Sequence, residues 1–243
     1  HRLEKDVINY ADAVVTIGKT MQQEFQHQFN RSIECITNGY DDEDIRTLNL
    51  MPDQQFSLVH VGTLVKTRNP LGLWKGLKEL IAEIPEFKKH LQIKLVGKVD
   101  ASVMESLTSF GLDTYVQYTN YLEHSEVVGM QQQAQLLLLL INRTPNAKGV
   151  LTGKIFEYLA AKRPILCIGT TDGDAAQIIE ETQSGKTVYY DDIATIKKTV
   201  SDYYHNYVNH CLSNNASKTD AYSRKNLTAQ LAQVLNRISN KNP

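Results

Sequence analysis

The stretch LTGKIFEYLAAKRPIL, residues 151 to 166, gathers residue types that can do chemistry at helical spacing. Thr152 stands where a helix N-cap would, with Gly153 and Lys154 in the first turn, and the free N–H groups of such a turn favour an anion. Lys154 adds a full positive charge there. Glu157 follows about one helical turn later, at a distance suiting a ribose whose hydroxyls donate to a carboxylate. At about 100° per residue, Ile155, Phe156, Leu159 and Ala160 share an apolar arc, while Gly153, Glu157 and Ala161 lie opposite. An acid flanked by small residues rather than long charged ones indicates that something else approaches it.

Two other loops carry charge before a helix. In VGTLVKTRNP, Gly62 permits close backbone approach, and Lys66 and Arg68 precede Pro70, a helix starter. Two cations there could hold phosphate oxygens by charge-assisted hydrogen bonds, although from this loop alone two solvated charges are the commoner reading. In GTTDGDAAQ, Gly173 and Asp174 precede a helix, and the acids would repel phosphate, so the loop reads as an N-cap or a sugar contact. His60 reads as a satisfied core histidine and His124 as part of a helix cap. Neither GxGxxG after a strand nor GxxxxGK(S/T) occurs, and GxSxG and HExxH are also missing, so a protein nucleophile has no support.

The elements that must position these residues alternate in type. FSLVHVG, LQIKLVG, YVQYT, QLLLLLI, PILCIG and KTVYY read as strands, apolar throughout in most cases. Helices fall at Pro70 to about Ile84, Val103 to Phe110, Ser125 to Gln133, the stretch above, and Ala175 to Glu181. Such alternation predicts an α/β fold, a doubly wound parallel sheet covered on both faces, whose ligands bind outside the carboxyl ends of the strands. Before it, HRLEKDVINYADAVV begins as a helix with no capping residue, AVVTIG and SIECIT read as short strands, and TMQQEFQHQF as a helix. The aperiodic run LNLMPDQQ with Pro52 marks a boundary. The expected division is 1–40 as the remnant of a preceding domain, 41–55 as linker and 56–243 as the main domain. The last segment places Leu227, Leu231, Leu235 and Ile238 at amphipathic helical spacing.

The composition narrows the partners. Lys plus Arg number 26 against 27 Asp plus Glu, so no overall basic field recommends nucleic acid or an anionic membrane, and phosphate chemistry must use local groups. Cys35, Cys167 and Cys211 have neither disulfide-framework nor zinc-ligand spacing. The longest apolar run, LLLLLI, is far too short to span a bilayer, which leaves a cytoplasmic protein, with room for peripheral membrane association, as the expectation.

VGTLVKTRNP, KLVGKVD, YLEHSE and above all TGKIFEYLAAKRPIL resemble the C-terminal, nucleotide-sugar-binding half of GT-B glycosyltransferases of the retaining, family 4 kind. ADAVVTIGKTMQQEF followed by ITNGYD resembles the interdomain passage of those enzymes. The resemblance implies a two-domain enzyme in glycan or polysaccharide biosynthesis. A Rossmann-like domain takes a UDP- or GDP-sugar and passes a hexose-type unit to a glycan or lipid-linked acceptor, which the N-terminal domain binds. It implies that Glu157, the second of the family's two acids spaced by seven residues, contacts the ribose. Arg68 matches the lysine that contacts the diphosphate. The family's arginine after Gly62 is Thr63 here, so that Lys66 or Lys154 would have to substitute. The first acid of the pair falls at Gly149, and no acid lies between Asn142 and Phe156. The sugar would then rest on backbone N–H groups of 148 to 151, involving Gly149, Val150 and Leu151, or the chain is divergent or does no transfer. Base contacts are expected from backbone at Gly97, Lys98 and Val99 and at Tyr121 and Leu122. No metal is expected, because the cations would neutralise the diphosphate and no DxD-type pair occurs. A non-catalytic nucleotide-sugar-binding domain, a two-domain sugar-nucleotide epimerase and, more remotely, a nicotinamide-dependent enzyme stay open as alternatives. Residues 1 to about 40 are expected not to complete a domain, and the chain alone is expected to be inactive.

Overall fold

The computed structural model describes residues 2–41, 50–214 and 216–240. In chain order the elements are α1 (Arg2–Tyr10), β1 (Val15–Thr16), α2 (Lys19–Phe29), β2 (Glu34–Cys35), β3 (Phe56–Val61), α3 (Leu71–Glu83), α4 (Phe87–His90), β4 (Leu91–Val96) and α5 (Ala101–Ser109). They continue with β5 (Val116–Thr119), α6 (His124–Gln133), β6 (Leu136–Leu140), α7 (Lys154–Ala161), β7 (Ile165–Ile168), α8 (Asp174–Glu181), β8 (Gly185–Val188), α9 (Ile193–Val208) and α10 (Arg224–Ser239).

Strands β3 to β8 form one parallel sheet in the order β5-β4-β3-β6-β7-β8. The central strands β3, β6 and β7 are buried on both faces, as a doubly wound sheet requires, while β4 alternates and the edge strands β5 and β8 are partly exposed. Alternate side chains feed two cores. Leu58, Leu136, Leu138 and Leu166 pack with Leu73, Trp74, Val103 and Ile196 on one side. Val59, Leu137, Leu139 and Cys167 pack with Ile155, Phe156, Leu159, Ile178 and Ile179 on the other. The chain winds outward from β3 in one direction and from β6 in the other, so the order reverses between them. This switch point opens a crevice at the carboxyl ends of β3 and β6.

Several expectations need correction. Helix α9, with Ile196, Val200 and Tyr204 buried, was not anticipated, and neither was the short α4. On α10 the buried residues are Leu227 and Val234, whereas Leu231 and Leu235 are exposed. Its inward face is therefore narrower than the leucine spacing suggests, and its N-terminus is capped by Ser223, whose side chain accepts from Asn226 N. On α7 the apolar arc is wider than its pattern suggests, since Tyr158 and Ala161 are also buried. The cap of α6 is Glu123, in a reciprocal capping box with Glu126, and His124 is the first helical residue.

Residues 2–41 lie against the main sheet domain. β1 and β2 pair in parallel, Val15 with Glu34 and Thr16 with Cys35. Tyr40 bridges to Ser223, its N–H donating to Tyr222 O at 3.1 Å and its carbonyl accepting from Arg224 N at 2.8 Å. Asp174 of α8 accepts from Thr20 N at 3.0 Å and from Thr20 Oγ1 at 2.8 Å. Leu3, Val7 and Tyr10 of α1 are exposed. His1 and residues 42–49 of the expected linker lie outside the described residues.

Candidate nucleotide-binding site

The crevice exists because β3 and β6 part after two paired positions, Leu58 with Leu136 and Val59 with Leu137. Parting strands leave backbone groups that must be satisfied inside the protein. Two side chains do this. Val61 N donates to the Tyr158 hydroxyl at 3.2 Å, and that hydroxyl in turn donates to Leu138 O at 3.4 Å. His60 Nδ1 lies 3.1 Å from the same carbonyl, while its Nε2 has no partner. The expectation of a satisfied core histidine thus holds for one ring nitrogen only. Burial, and then the neighbouring Lys154 charge, hold the His60 imidazole down to about 3, so it is neutral and adds no charge to the crevice.

Above this floor stand the cations. Gly62 follows β3 with φ of 101°, a conformation that favours glycine. A Cβ built there would lie 2.6 Å from Lys154 Cε and 2.7 Å from Nζ, so the absent side chain is what admits the Lys154 ammonium to the end of β3. Gly97, with φ of 107°, backs onto Gly62: its Cβ would approach the Gly62 backbone to 3.0 Å. Arg68 is fixed from two directions, Nε donating to Asn142 Oδ1 at 2.5 Å and Nη1 to Thr63 O at 3.3 Å. Lys154 is held down to about 8, first by burial and then by Arg68, with Glu157 pulling the other way. Neither cation has an acid bonded to it among the described residues.

Glu157 lies on the exposed face of α7 and accepts from Gln131 Nε2 of α6 at 3.1 Å. It also lines a cleft of about 630 Å³ that runs between α6, α7, residues 36–41 and α10, together with Gly153, His124 and Gln131. Glu157 thus lines that cleft and also acts on the charge of Lys154, which does not line it.

The remaining expected site residues are placed unevenly. Lys66 is exposed and faces the charge of Asp100 rather than joining Arg68. Thr63 is exposed and contributes its carbonyl to Arg68. The Lys98 carbonyl accepts from Leu64 N at 2.9 Å. The Tyr121 side chain is exposed and that of Leu122 packs partly against the core, which leaves the expected backbone contacts of these residues untouched. Thr152 does not cap α7: the N-cap is Gly153, in helical conformation, and the Thr152 hydroxyl is buried without a partner.

The loop at Gly149 corrects a second expectation. Residues 147–149 form a 3-10 turn in which Gly149 N donates to Asn146 O at 3.1 Å and Val150 N to Ala147 O at 3.2 Å. Those N–H groups already have acceptors, so a row of free donors over 148 to 151 is not present. Leu151 packs partly into the core. A Cβ on Gly149 would meet Thr20 Cγ2 at 3.4 Å, so α2 covers the position where the family's first acid would stand.

Sequence reasoning missed Gln131 and Asn142, the residues that hold Glu157 and Arg68. Asn142 had a signal, a polar residue directly after a strand of leucines. Gln131 sits in the run QQQ, and nothing distinguishes it from its neighbours until the helices pack.

A family model described as glycosyl transferases group 1 matches residues 55–206, more than half of the chain. Among curated proteins no sequence match was found. Solved structures share the fold. A glycosyltransferase from Rickettsia africae ESF-5 superposes with a TM-score of 0.73 at 15% identity, over 100% of this chain and 68% of that one. Anabaena HepE, in complex with UDP-glucose, superposes at 0.69 and 16% identity over 97% and 67%. The pneumococcal O-GlcNAc transferase GtfA, in complex with UDP and GlcNAc, gives 0.65 and 15% over 97% and 47%. The chain spans between about half and two thirds of the length of these neighbours, and at such identities they establish the fold alone. With the family model across the sheet domain, however, the chain belongs to the glycosyl transferases group 1 family.

Proposed function

We propose that this chain binds the donor in a glycosyl transfer reaction, taking a UDP- or GDP-sugar at the switch point between β3 and β6. The observation that carries the reading is the pair Lys154 and Arg68, two half-buried cations beside Gly62 with no acid bonded to them among the described residues. Like charges held together out of water are unfavourable until an anion arrives between them, and a diphosphate supplies one. Glu157, next to them, would accept from the ribose hydroxyls, and backbone at 97–99 and 121–122 would face the base. When the bond between the sugar and the diphosphate breaks, negative charge grows on the departing oxygen, and the two cations stabilise it without a metal. No group of three or more His, Cys, Asp or Glu able to hold a metal occurs among the described residues.

The finer parts belong to the same proposal: transfer of a hexose-type unit with retention, a glycan or lipid-linked acceptor met by the other domain of the GT-B architecture, and the division into 1–40, 41–55 and 56–243. So does a cytoplasmic setting. No helix among the described residues is long and apolar enough to cross a membrane. A non-catalytic nucleotide-sugar-binding role is the second reading, favoured by Gly149 under Thr20 and by the lack of any acid from Asn142 to Phe156.

Calorimetric titration with UDP, GDP, their nucleosides and NAD tests the proposal. One diphosphate should bind at least about tenfold more tightly than its nucleoside, a factor worth roughly 1.4 kcal/mol, and a chelator should change nothing. Equal affinity for nucleoside and diphosphate, or preference for NAD, would overturn it. Turnover of the donor by the whole protein separates the catalytic from the non-catalytic reading.

A further inference from the structure

Lys154 and Glu157 stand three residues apart on α7, a spacing at which opposite charges normally pair. Among the described residues they do not. Instead the Glu157 carboxylate turns to the neighbouring helix, where Gln131 Nε2 donates to Oε2 at 3.1 Å. Gln131 is only 3% exposed, and a buried primary amide is costly unless it is hydrogen-bonded. Its burial fixes the donor, and the donor fixes an acid whose own side chain is exposed and would otherwise sample many rotamers.

We infer that Gln131 is a positioning residue that keeps Glu157 away from Lys154, so that the cation remains free for a diphosphate and the carboxylate for the two hydroxyls of a ribose. The inference rests on the donor-binding reading above. Its chemistry follows from the neutrality of the amide. A lysine or arginine in place of Gln131 would hold Glu157 equally well but would satisfy its charge and compete with the ligand. An amide occupies one of roughly four lone-pair positions of the carboxylate and leaves its charge intact. Without Gln131, Glu157 can swing to Lys154, and one internal ion pair replaces two ligand contacts. Loss of the amide therefore weakens recognition at two separated parts of one ligand.

The test compares UDP with 2′-deoxy-UDP, and GDP with 2′-deoxy-GDP should guanine be the preferred base. The wild-type protein should favour the ribonucleotide about tenfold, the scale of one hydrogen bond to a charged acceptor. Gln131→Met, of similar length but without the N–H, should reduce that preference to about twofold and weaken the ribonucleotide itself about tenfold. Its melting temperature is the control for a merely structural role. Gln131→Asn, too short to reach, reads the same ratio should the methionine variant fail to fold. Preservation of the full ratio in a folded Gln131 variant, alongside its loss in Glu157→Gln, would overturn the inference and leave the donor reading standing. Absence of any diphosphate binding by the wild type would remove both at once.

Discussion

Helices α2 and α7 both begin at a glycine with no side-chain cap of its own, and the protein treats the two ends in opposite ways. At α2 it supplies an anion from within. Asp174, 6% exposed and itself the first residue of α8, accepts from Thr20 N and Thr20 Oγ1, and a Cβ on Gly18 would lie 2.4 Å from its Oδ2. One carboxylate is shared by two helix N-termini, where the helix dipole favours negative charge. At α7 the fold supplies no anion. It gathers two cations, leaves the Thr152 hydroxyl unpartnered, and holds the nearest acid aside on Gln131. Completed electrostatics at α2 dock residues 2–41 onto the sheet domain, and incomplete electrostatics at α7 mark the place for a ligand.

The largest expected effect breaks the α7 side of this contrast. Arg68→Ala with Lys154→Met should reduce nucleoside diphosphate affinity by roughly 3 to 5 kcal/mol, about two hydrogen bonds to a charged group, and leave the bare nucleoside nearly unaffected. The Lys154→Met component should raise the melting temperature, since it removes a half-buried ammonium that Arg68 opposes. Affinity lost while stability is gained is the signature of a site; losses in both would make these cations structural. Next comes the α2 side. Asp174→Asn should lower stability by roughly 2 kcal/mol, because a buried charged acceptor for two donors is weakened, and alter diphosphate affinity less than about twofold. Calorimetric unfolding and titration of the same sample read both, and a large affinity loss would mean that the two helix ends are not independent.

How much of this contrast was legible in sequence depended on distance along the chain. The parallel alternation, the loops that flank the switch point and the charges of Arg68, Lys154 and Glu157 could be read because each is a local pattern. Their partners could not. Gln131 meets Glu157 across 26 residues, Asn142 meets Arg68 across 74, and Asp174 meets Thr20 across 154. The 174 loop reads from sequence as an N-cap or a sugar contact, but the helix whose N-terminus its carboxylate bonds is α2 and not its own α8, and that partner arrives only with the tertiary fold. Helix α9 was missed for another reason. Ile196, Val200 and Tyr204 lie at helical spacing, but β-branched and aromatic residues with flanking Asp and Asn weaken the helical signal.

pH provides a gentler probe. Lys154 loses its proton near 8 in the folded protein and near 10.5 when unfolded. Between these values the unfolded chain binds more protons, so stability should rise with pH across that window. A diphosphate needs the ammonium, so affinity should fall as pH rises above about 8, by at most about tenfold per pH unit. The two trends run in opposite directions in one window, and Lys154→Met should flatten both. Affinity independent of pH from 7 to 10 would separate Lys154 from the ligand.

The smallest expected effect sharpens the comparison to a single oxygen at each helix. Thr20→Val and Thr152→Val make the same near-isosteric change, hydroxyl to methyl, near the two N-termini, Thr20 as the second residue of α2 and Thr152 as the residue before the N-cap of α7. The Thr20 hydroxyl donates to Asp174 at 2.8 Å, so its loss should lower stability by roughly 1 to 2 kcal/mol. The Thr152 hydroxyl is buried with nothing to bond, so its removal should leave stability within about 0.5 kcal/mol or raise it slightly. Ligand reverses the asymmetry. If a diphosphate oxygen fills the empty place at α7, Thr152→Val should weaken the diphosphate three- to tenfold, near one neutral donor's contribution, while Thr20→Val leaves binding unchanged. Equal stability losses in the two variants would mean that Thr152 has a partner of its own, and the difference between a completed and an uncompleted helix end would disappear.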